Sequence, residues 1–407
     1  MCYLKLLSNT TSRVGNMFKD LKASRKVTLL LRLKIEVEAE YALRRLKVDY
    51  GYCSKNGVHQ YNFSSQIGCA RLHAHESSEV DSRAVRQCRR QRGLEVQVYG
   101  LLVIRNEVDI IRTNILYHLS LGLDRILIID NGSSDGTDRV LRELGKDPRV
   151  RWTRDKGPWN AGDFFTKLAR EAFREGADWV VPIDADEFWY APRGSLRSVL
   201  KESEAGALRA RSVTFIQRRE QEKSSPEALL HMTRRVPEPV ASERGSRKLA
   251  RELVESQQVA NVEIESRKWI SRPTSAIEMF RGNHRVEGVA GLKRVTDEII
   301  LLHALLRSQA RFRAKVEGAQ RSEEAGRKPG QSSHLMRWMR LRDEGQLKQE
   351  WAANSYAGDY LDVYGVRRKT IFDPTLRDAV VPFLENGRDE EEVYEKRPLW
   401  RRVMKRA

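Results

Sequence analysis

The chain has 407 residues, with 74 Lys and Arg against 56 Asp and Glu, for a net charge of +18. This length admits two or three domains, or one large domain with appendages. No apolar run reaches the roughly 18 residues of a membrane span. Residues 1–20 show no signal-peptide pattern, so the expected location is cytoplasmic. The charge is uneven: +9 over residues 1–95, −1 over 96–200 and +10 over 201–407. A basic excess confined to the flanks suits an anionic membrane surface, an anionic acceptor, nucleic acid, or only a solvated surface.

Residues 1–95 read as a basic N-terminal extension, partly helical or disordered. Residues 31–41 alternate apolar and charged side chains, a strand pattern. Their Leu, Glu, Ala and Arg content and the pairs Arg32/Glu36 and Lys34/Glu38 favour a helix. The four cysteines, Cys2, Cys53, Cys69 and Cys88, match no CxxC spacing. They read as free thiols, with a zinc site shared with His59, His73 and His75 as the lesser alternative.

From Val96 the pattern sharpens. Residues 98–104 form an apolar strand, closed by Arg105-Asn106-Glu107. Val108, Ile111, Ile115, Leu116 and Leu119 recur at helical spacing up to Gly122. A second strand over 125–129 ends in Asp130-Asn131-Gly132, and a turn through Ser133–Asp138 opens a short helix. A third strand begins at Val150. Phe164, Leu168, Ala169, Ala172 and Phe173 mark the next helix face. The fourth strand, 179–183, delivers Asp184-Ala185-Asp186-Glu187-Phe188. This succession predicts an α/β domain over 96–310, a mostly parallel, Rossmann-like sheet flanked by helices. Ligands of such sheets bind beyond the carboxyl ends of the strands, so the three polar strand ends should converge on one cleft. Residues 299–303 read as a further buried strand, and 311–407 as a helical basic C-terminal region.

Asp184 and Asp186, two carboxylates one residue apart, can hold a hard divalent cation such as Mn²⁺ or Mg²⁺. That cation can neutralise a diphosphate as charge grows on it. An acidic surface turn is the simpler alternative for such a pair.

The motifs Ile104-Arg105-Asn106-Glu107, Asp130-Asn131-Gly132-Ser133-Ser134-Asp135-Gly136-Thr137 and Asp184-Ala185-Asp186-Glu187-Phe188 stand in order. With Gly282-Asn283-His284-Arg285-Val286 and His303-Ala304-Leu305-Leu306-Arg307-Ser308, they resemble the family 2-like glycosyltransferases of the GT-A fold. The resemblance covers about half the chain. It implies that Arg105, Asn106, Glu107, Asp130, Asn131 and Asp184 bind the donor. It also implies a metal held by Asp184 and Asp186, with His284 completing the shell. Glu287 and Glu187 are candidates for the catalytic base, Glu278 a further one. His303 reads as a core histidine. No Gln-x-x-Arg-Trp motif appears, which argues against a processive synthase.

The expected function is metal-dependent sugar transfer from a nucleotide-diphospho sugar to a glycan or lipid-linked acceptor, with inversion, in cell-surface polysaccharide synthesis. The basic flanks suit peripheral contact with an anionic membrane. A nucleotidyltransferase ranks lower because 98–107 lacks a glycine-rich phosphate loop. A nucleic-acid or polyanion binder ranks lower because no zinc finger, RRM or KH signature is present.

Overall fold

The computed structural model describes residues 95–241, 246–324 and 333–384. The expected helix over 31–46, the four cysteines and the basic tail from 385 lie outside the described residues. Nine strands form the central sheet: β1 (Val98–Ile104), β2 (Arg125–Asp130), β3 (Val150–Arg154), β4 (Trp179–Ile183), β5 (Glu187–Tyr190), β6 (Ala207–Thr214), β7 (Arg267–Ser271), β8 (Lys293–Val295) and β9 (Ile300–His303). Their order is β3-β2-β1-β4-β7-β6-β9-β5, with β8 beside β6. Strands β3, β2, β1 and β4 run parallel. Strand β7 lies antiparallel between β4 and β6, and β5 is antiparallel to β9 at the edge. The fold is therefore the expected α/β one, with a mostly parallel sheet that two reversed strands make mixed.

Every residue of β1 and β4 is buried, because helices cover both faces and no polar face is required. Alternate side chains point to opposite faces. Leu102, Ile104, Ile128 and Ile183 meet helix α1 (Ile111–Ser120) and Leu141 of α2 (Thr137–Leu144). Leu101, Val103, Leu127, Ile129 and Val180 meet Phe165, Leu168, Ala169 and Ala172 of α3 (Ala161–Arg174). Each such aliphatic side chain contributes roughly 1.5–3 kcal/mol when fully buried. Gly100 sits where β1 is pressed hardest: a Cβ there would lie 2.8 Å from Leu123 Cδ2.

After α4 (Leu196–Glu202) and β6, the chain passes through α5 (Ser246–Glu255) to β7, β8 and β9. Three helices then follow: α6 (Gln309–Glu324), α7 (Ser333–Asp343) and α8 (Leu347–Ala353). The C-terminal region is not helical throughout, as the sequence suggested. Residues Ser355–Ala357, Tyr360–Val363 and Val366–Lys369 are strands that form a four-stranded sheet with Gln217–Arg218. Tyr364 and Gly365, both at positive φ, turn the last hairpin. Helix α9 (Thr375–Val380) then returns to the first core, where Leu376, Val380 and Leu384 pack with α1 residues. The segments on either side of residue 310 thus share a hydrophobic core.

Candidate active site

Because β1, β2 and β4 are parallel, the segments that follow them emerge at the same end of the sheet. The first two bind each other directly. The backbone N–H of Asn106 donates to Ser133 Oγ at 2.8 Å, and Asn106 Oδ1 accepts from the Ser134 N–H at 2.7 Å. The Glu107 N–H donates to Thr137 Oγ1 at 2.8 Å. Asn106 takes a φ of +58°, a left-handed conformation that Asn tolerates better than most residues. The two motifs, 27–30 residues apart, are one folded unit.

Asp130 and Asn131 serve that unit from within. Asp130 is fully buried; its Oδ1 accepts from the Ser133 N–H at 3.0 Å and from Ser133 Oγ. Its Oδ2 makes no hydrogen bond among the described residues and lies 3.6 Å from Arg154 Nε. Asn131 Nδ2 donates to the carbonyl oxygens of Asp155 and Gly157, both at 3.0 Å. Both residues thus brace the loops with part of their side chains, and Asn131 Oδ1, like Asp130 Oδ2, has no hydrogen-bond partner among the described residues. Arg105 is exposed beside them.

The Asp184–Asp186 segment is held from α1. Asn114 Nδ2 donates to the carbonyl oxygens of Ala185 at 3.0 Å and Glu187 at 2.9 Å. His118 Nδ1 lies 2.8 Å from the Asn114 carbonyl oxygen, and the Trp189 N–H approaches His118 Nε2 at 3.3 Å. That pattern suits a neutral ring with its proton on Nδ1. Burial agrees with it, pushing the His118 pKa down to about 4.

Five carboxyl groups and four cations gather at the strand ends. Lys268, on β7 and buried, binds Asp184 Oδ2 and reaches Glu187 Oε2 at 2.6 Å. Lys315 Nζ, on α6, lies 2.8 Å from Asp186 Oδ2. Arg307, in the turn before α6, forks onto Asp109 with contacts of 2.9 and 3.0 Å. It also bonds Glu107 at 2.7 Å and stands 3.8 Å from Asp186 Oδ2. Arg311 Nη2 lies 2.6 Å from Glu107 Oε1. His303, at the end of β9, places Nε2 3.9 Å from Asp186 Oδ1 and 4.0 Å from Glu187 Oε1. The structure thus brings His303 into the site, against the core reading.

The charges set the protonation states. Burial alone would raise the Asp186 pKa, but Lys315, His303 and Arg307 outweigh it and hold the carboxyl well below its usual range. Asp109 behaves likewise beside Arg307 and Arg311. Burial would lower the Lys268 pKa, but Asp184 and Glu187 outweigh it and hold the ammonium above its ordinary value. Glu187, only 2 % exposed, is pushed up to about 8 by burial against the pull of Lys268. At Glu187 burial outweighs Lys268, and the neighbouring Asp184 and Asp186 carboxyls push the same way as burial. Burial pushes His303 down to about 4, against the attraction of Asp186.

Among the described residues no three His, Cys, Asp or Glu side chains form a group able to hold a metal. The expected set of Asp184, Asp186 and His284 therefore does not assemble as a three-ligand site. His284 lies on the 281–284 turn with Nδ1 2.9 Å from the Arg267 carbonyl oxygen. Asp184 and Asp186 still fit a metal of another kind. Mg²⁺-type ions are commonly held by one or two carboxylates, with the remaining positions left to water and substrate phosphates. Asp184 is partly exposed, and its Oδ1 makes no ion pair among the described residues. Glu287 is bonded to Arg285, with contacts of 2.5 and 2.9 Å, on the hairpin of Glu278–Met279 and Val286–Glu287. No contact among the described residues links Glu287 to Asp184 or Asp186.

Residues 101–251 match the family model described as glycosyl transferase family 2. The match covers a little over a third of the chain. A glycosyltransferase family 92 protein of Oryza sativa subsp. japonica is 38 % identical over 104 residues, 24 % of this chain and 17 % of the rice protein. A family 92 protein of Arabidopsis thaliana is 30 % identical over 115 residues, 27 % of this chain and 19 % of its own length. The chain thus matches less than a fifth of the length of these curated relatives. Among solved structures, the mannosyltransferase PcManGT from Pyrobaculum calidifontis, in complex with GDP-Man and Mn²⁺, is 15 % identical, with a TM-score of 0.29 over 70 % of this chain and 84 % of that one.

The sequence reading missed Lys268, Arg311, Lys315, Asp109 and Asn114. Arg307, Arg311 and Lys315 recur every four residues, the spacing of one helix face. That signal was readable as a cationic stripe, although nothing local says what it faces. Lys268 is a lone lysine in an otherwise strand-like segment, a weak sign of a buried ion pair.

Proposed function

We propose that this protein transfers a sugar from a nucleotide-diphospho sugar to a glycan or lipid-linked acceptor, in cell-surface polysaccharide synthesis. The observation that carries the reading is the Asp184/Asp186 pair at the end of β4, inside the segment that matches family 2. Bound there, Mn²⁺ or Mg²⁺ would supply charge neutralisation to the diphosphate. Asp184 and Asp186 would hold it through the carboxylate oxygens that Lys268 and Lys315 leave open. Lys268 fixes Asp184, and Glu187 positions Lys268. Glu107 belongs to the same cluster through Arg307 and Arg311, and Arg105 stands exposed at its rim for the donor. Asp130 and Asn131 shape the loops at the nucleoside end.

Glu187 is buried and bonded to Lys268, so the reading gives it a positioning part and not that of the base. Inversion at the anomeric carbon is the outcome the family resemblance implies. The basic excess over 201–407 supports contact with an anionic surface, membrane or acceptor.

The test is donor turnover by the full chain with a panel of nucleotide sugars and Mn²⁺, read as released nucleoside diphosphate. Release from one donor, abolished by chelator and by Asp186→Ala, is the expected result. No release and no calorimetric binding of any donor with Mn²⁺ present would overturn the reading.

A further inference from the structure

The acids at the strand ends already have cations of their own, and those cations differ in how firmly they are held. Lys268 is 4 % exposed and lies between Asp184 and Glu187. Arg307 is 1 % exposed and is fixed by its fork onto Asp109 and its bond to Glu107. Arg311 is bound at 2.6 Å to Glu107. Lys315 is the exception. Its side chain is 22 % exposed, the most open of the four. Its contacts are the Asp186 carboxylate at 2.8 Å and the Leu305 carbonyl oxygen at 3.3 Å. A flexible four-carbon stem carries a compact charge that can change partners with little rearrangement.

We propose that Lys315 is an exchangeable counter-ion: it neutralises Asp186 while the site is empty and moves to the diphosphate when donor and metal bind. This rests on the glycosyltransferase reading and deepens it by naming the group that meets the leaving-group charge.

Charge bookkeeping supports the exchange. A divalent cation and a nucleotide-diphospho sugar with two negative charges enter as a neutral pair, so the cluster's balance is preserved. With an oxygen of Asp186 engaged by a bound cation, Lys315 would lose its partner and be free to meet a neighbouring diphosphate. As the acceptor hydroxyl oxygen bonds the anomeric carbon and gives up its proton to solvent, the bond from that carbon to the diphosphate oxygen breaks; its electron pair stays on that oxygen and the diphosphate gains one negative charge. A preplaced ammonium stabilises that charge more than it stabilises the bound donor, which is the condition for speeding the chemical step. Lys268 and Arg307 cannot take this part without leaving buried carboxylates unpaired, a costly state.

The proposal predicts effects of opposite sign in one variant. Lys315→Met removes a cation that competes for Asp186, so Mn²⁺ binding without donor should tighten several-fold by calorimetry. The same variant should lose about 10²-fold in kcat, the scale of deleting one preorganised charge-stabilising group, with a smaller change in donor KM. Lys315→Arg keeps the charge and should recover part of kcat. A merely structural lysine would instead give weaker Mn²⁺ binding together with a lowered melting temperature. Wild-type Mn²⁺ affinity or wild-type kcat in folded Lys315→Met would overturn the proposal while leaving the transferase reading intact. Absence of Mn²⁺ binding and of donor turnover in the wild-type chain would overturn both.

Discussion

Two buried charged networks among the described residues are built differently. At the strand ends, Asp184, Asp186, Glu187, Glu107 and Asp109 share Lys268, Arg307, Arg311 and Lys315. In the C-terminal part, one acid gathers everything. Glu350 Oε1 accepts from Trp338 Nε1 at 2.8 Å and from Asn261 Nδ2 at 3.1 Å, while Oε2 accepts from Arg337 at 3.0 Å and from the Tyr364 hydroxyl. Both Glu350 and Arg337 are 1 % exposed. That network ties α7 and α8 to the 360–369 hairpin and to Asn261, with its charges matched and its oxygens taken up. The network at Asp186 has an acid in excess, a partly exposed lysine and carboxylate oxygens without bonds. One acid with both of its oxygens bonded suits a structural clamp, and an acid-rich cluster with a partly exposed lysine at a strand end suits a site that awaits ligands.

Glu350→Ala should break the clamp and leave buried Arg337 with Glu255, 3.7 Å away, as its only acid among the described residues, at a cost of about 3–5 kcal/mol. Urea denaturation reads this, while turnover per folded molecule stays within about twofold. An unchanged denaturation midpoint would erase the contrast from the structural side. Asp186→Asn tests the other side. It should cost about 10³-fold in kcat, roughly 4 kcal/mol of barrier, with a stability change below about 2 kcal/mol because Lys315 can turn to solvent. Near-normal activity would reduce the strand-end cluster to a second clamp.

Titration sharpens the comparison further. His118 has its folded pKa lowered to about 4 from 6.5. A His lowered in this way contributes stability that is present above the unfolded value and lost as pH falls toward the folded one. Between pH 6.5 and 4 the loss reaches about 3 kcal/mol, and an NMR titration should keep the His118 ring neutral to about pH 4. A ring titrating near 6.5 would contradict its buried place beneath the Asp184–Asp186 segment. Glu187 runs the other way, its folded pKa raised to about 8 from 4.5. Its contribution is fully present below 4.5 and is lost as pH rises through 8. The window from pH 6.5 to 8 isolates it, because His118 is already neutral there. Wild-type protein should lose up to about 2 kcal/mol across that window, and Glu187→Gln should flatten the slope. Equal slopes would show that Lys268 keeps Glu187 ionised throughout.

The strand-helix-strand core was legible because its signals are local. Residues 98–104, 125–129 and 179–183 are apolar runs ended by polar turns, and the helix faces repeat at their own period. The acids that close those strands were legible for the same reason. Asp130 and Asn131, expected as donor contacts, also bond Ser133, Asp155 and Gly157, and each keeps one side-chain oxygen without a hydrogen bond among the described residues. A residue at a strand end can face a cleft or build its rim, and the sequence reads alike in both cases. His303 was read as core because it follows an apolar run, but β9 ends beside Asp186, and that register is not written in residues 299–303. The strands after Ser355 were missed because they are short and carry Arg367, Arg368 and Lys369, a composition that reads as solvated helix.

By itself, then, the sequence determined the α/β core, the end of the sheet where polar groups converge, and the carboxylates placed there. Burial periodicity and turn chemistry fix all three within some twenty residues at a time. Only the tertiary structure decided which cations meet those carboxylates. Lys268 reaches Asp184 across 84 residues and Arg307 reaches Glu107 across 200. An ion pair formed over such a separation leaves no periodic trace along the chain. It exists because β7 inserts antiparallel beside β4 and because β9 carries the chain past Asp186 into α6.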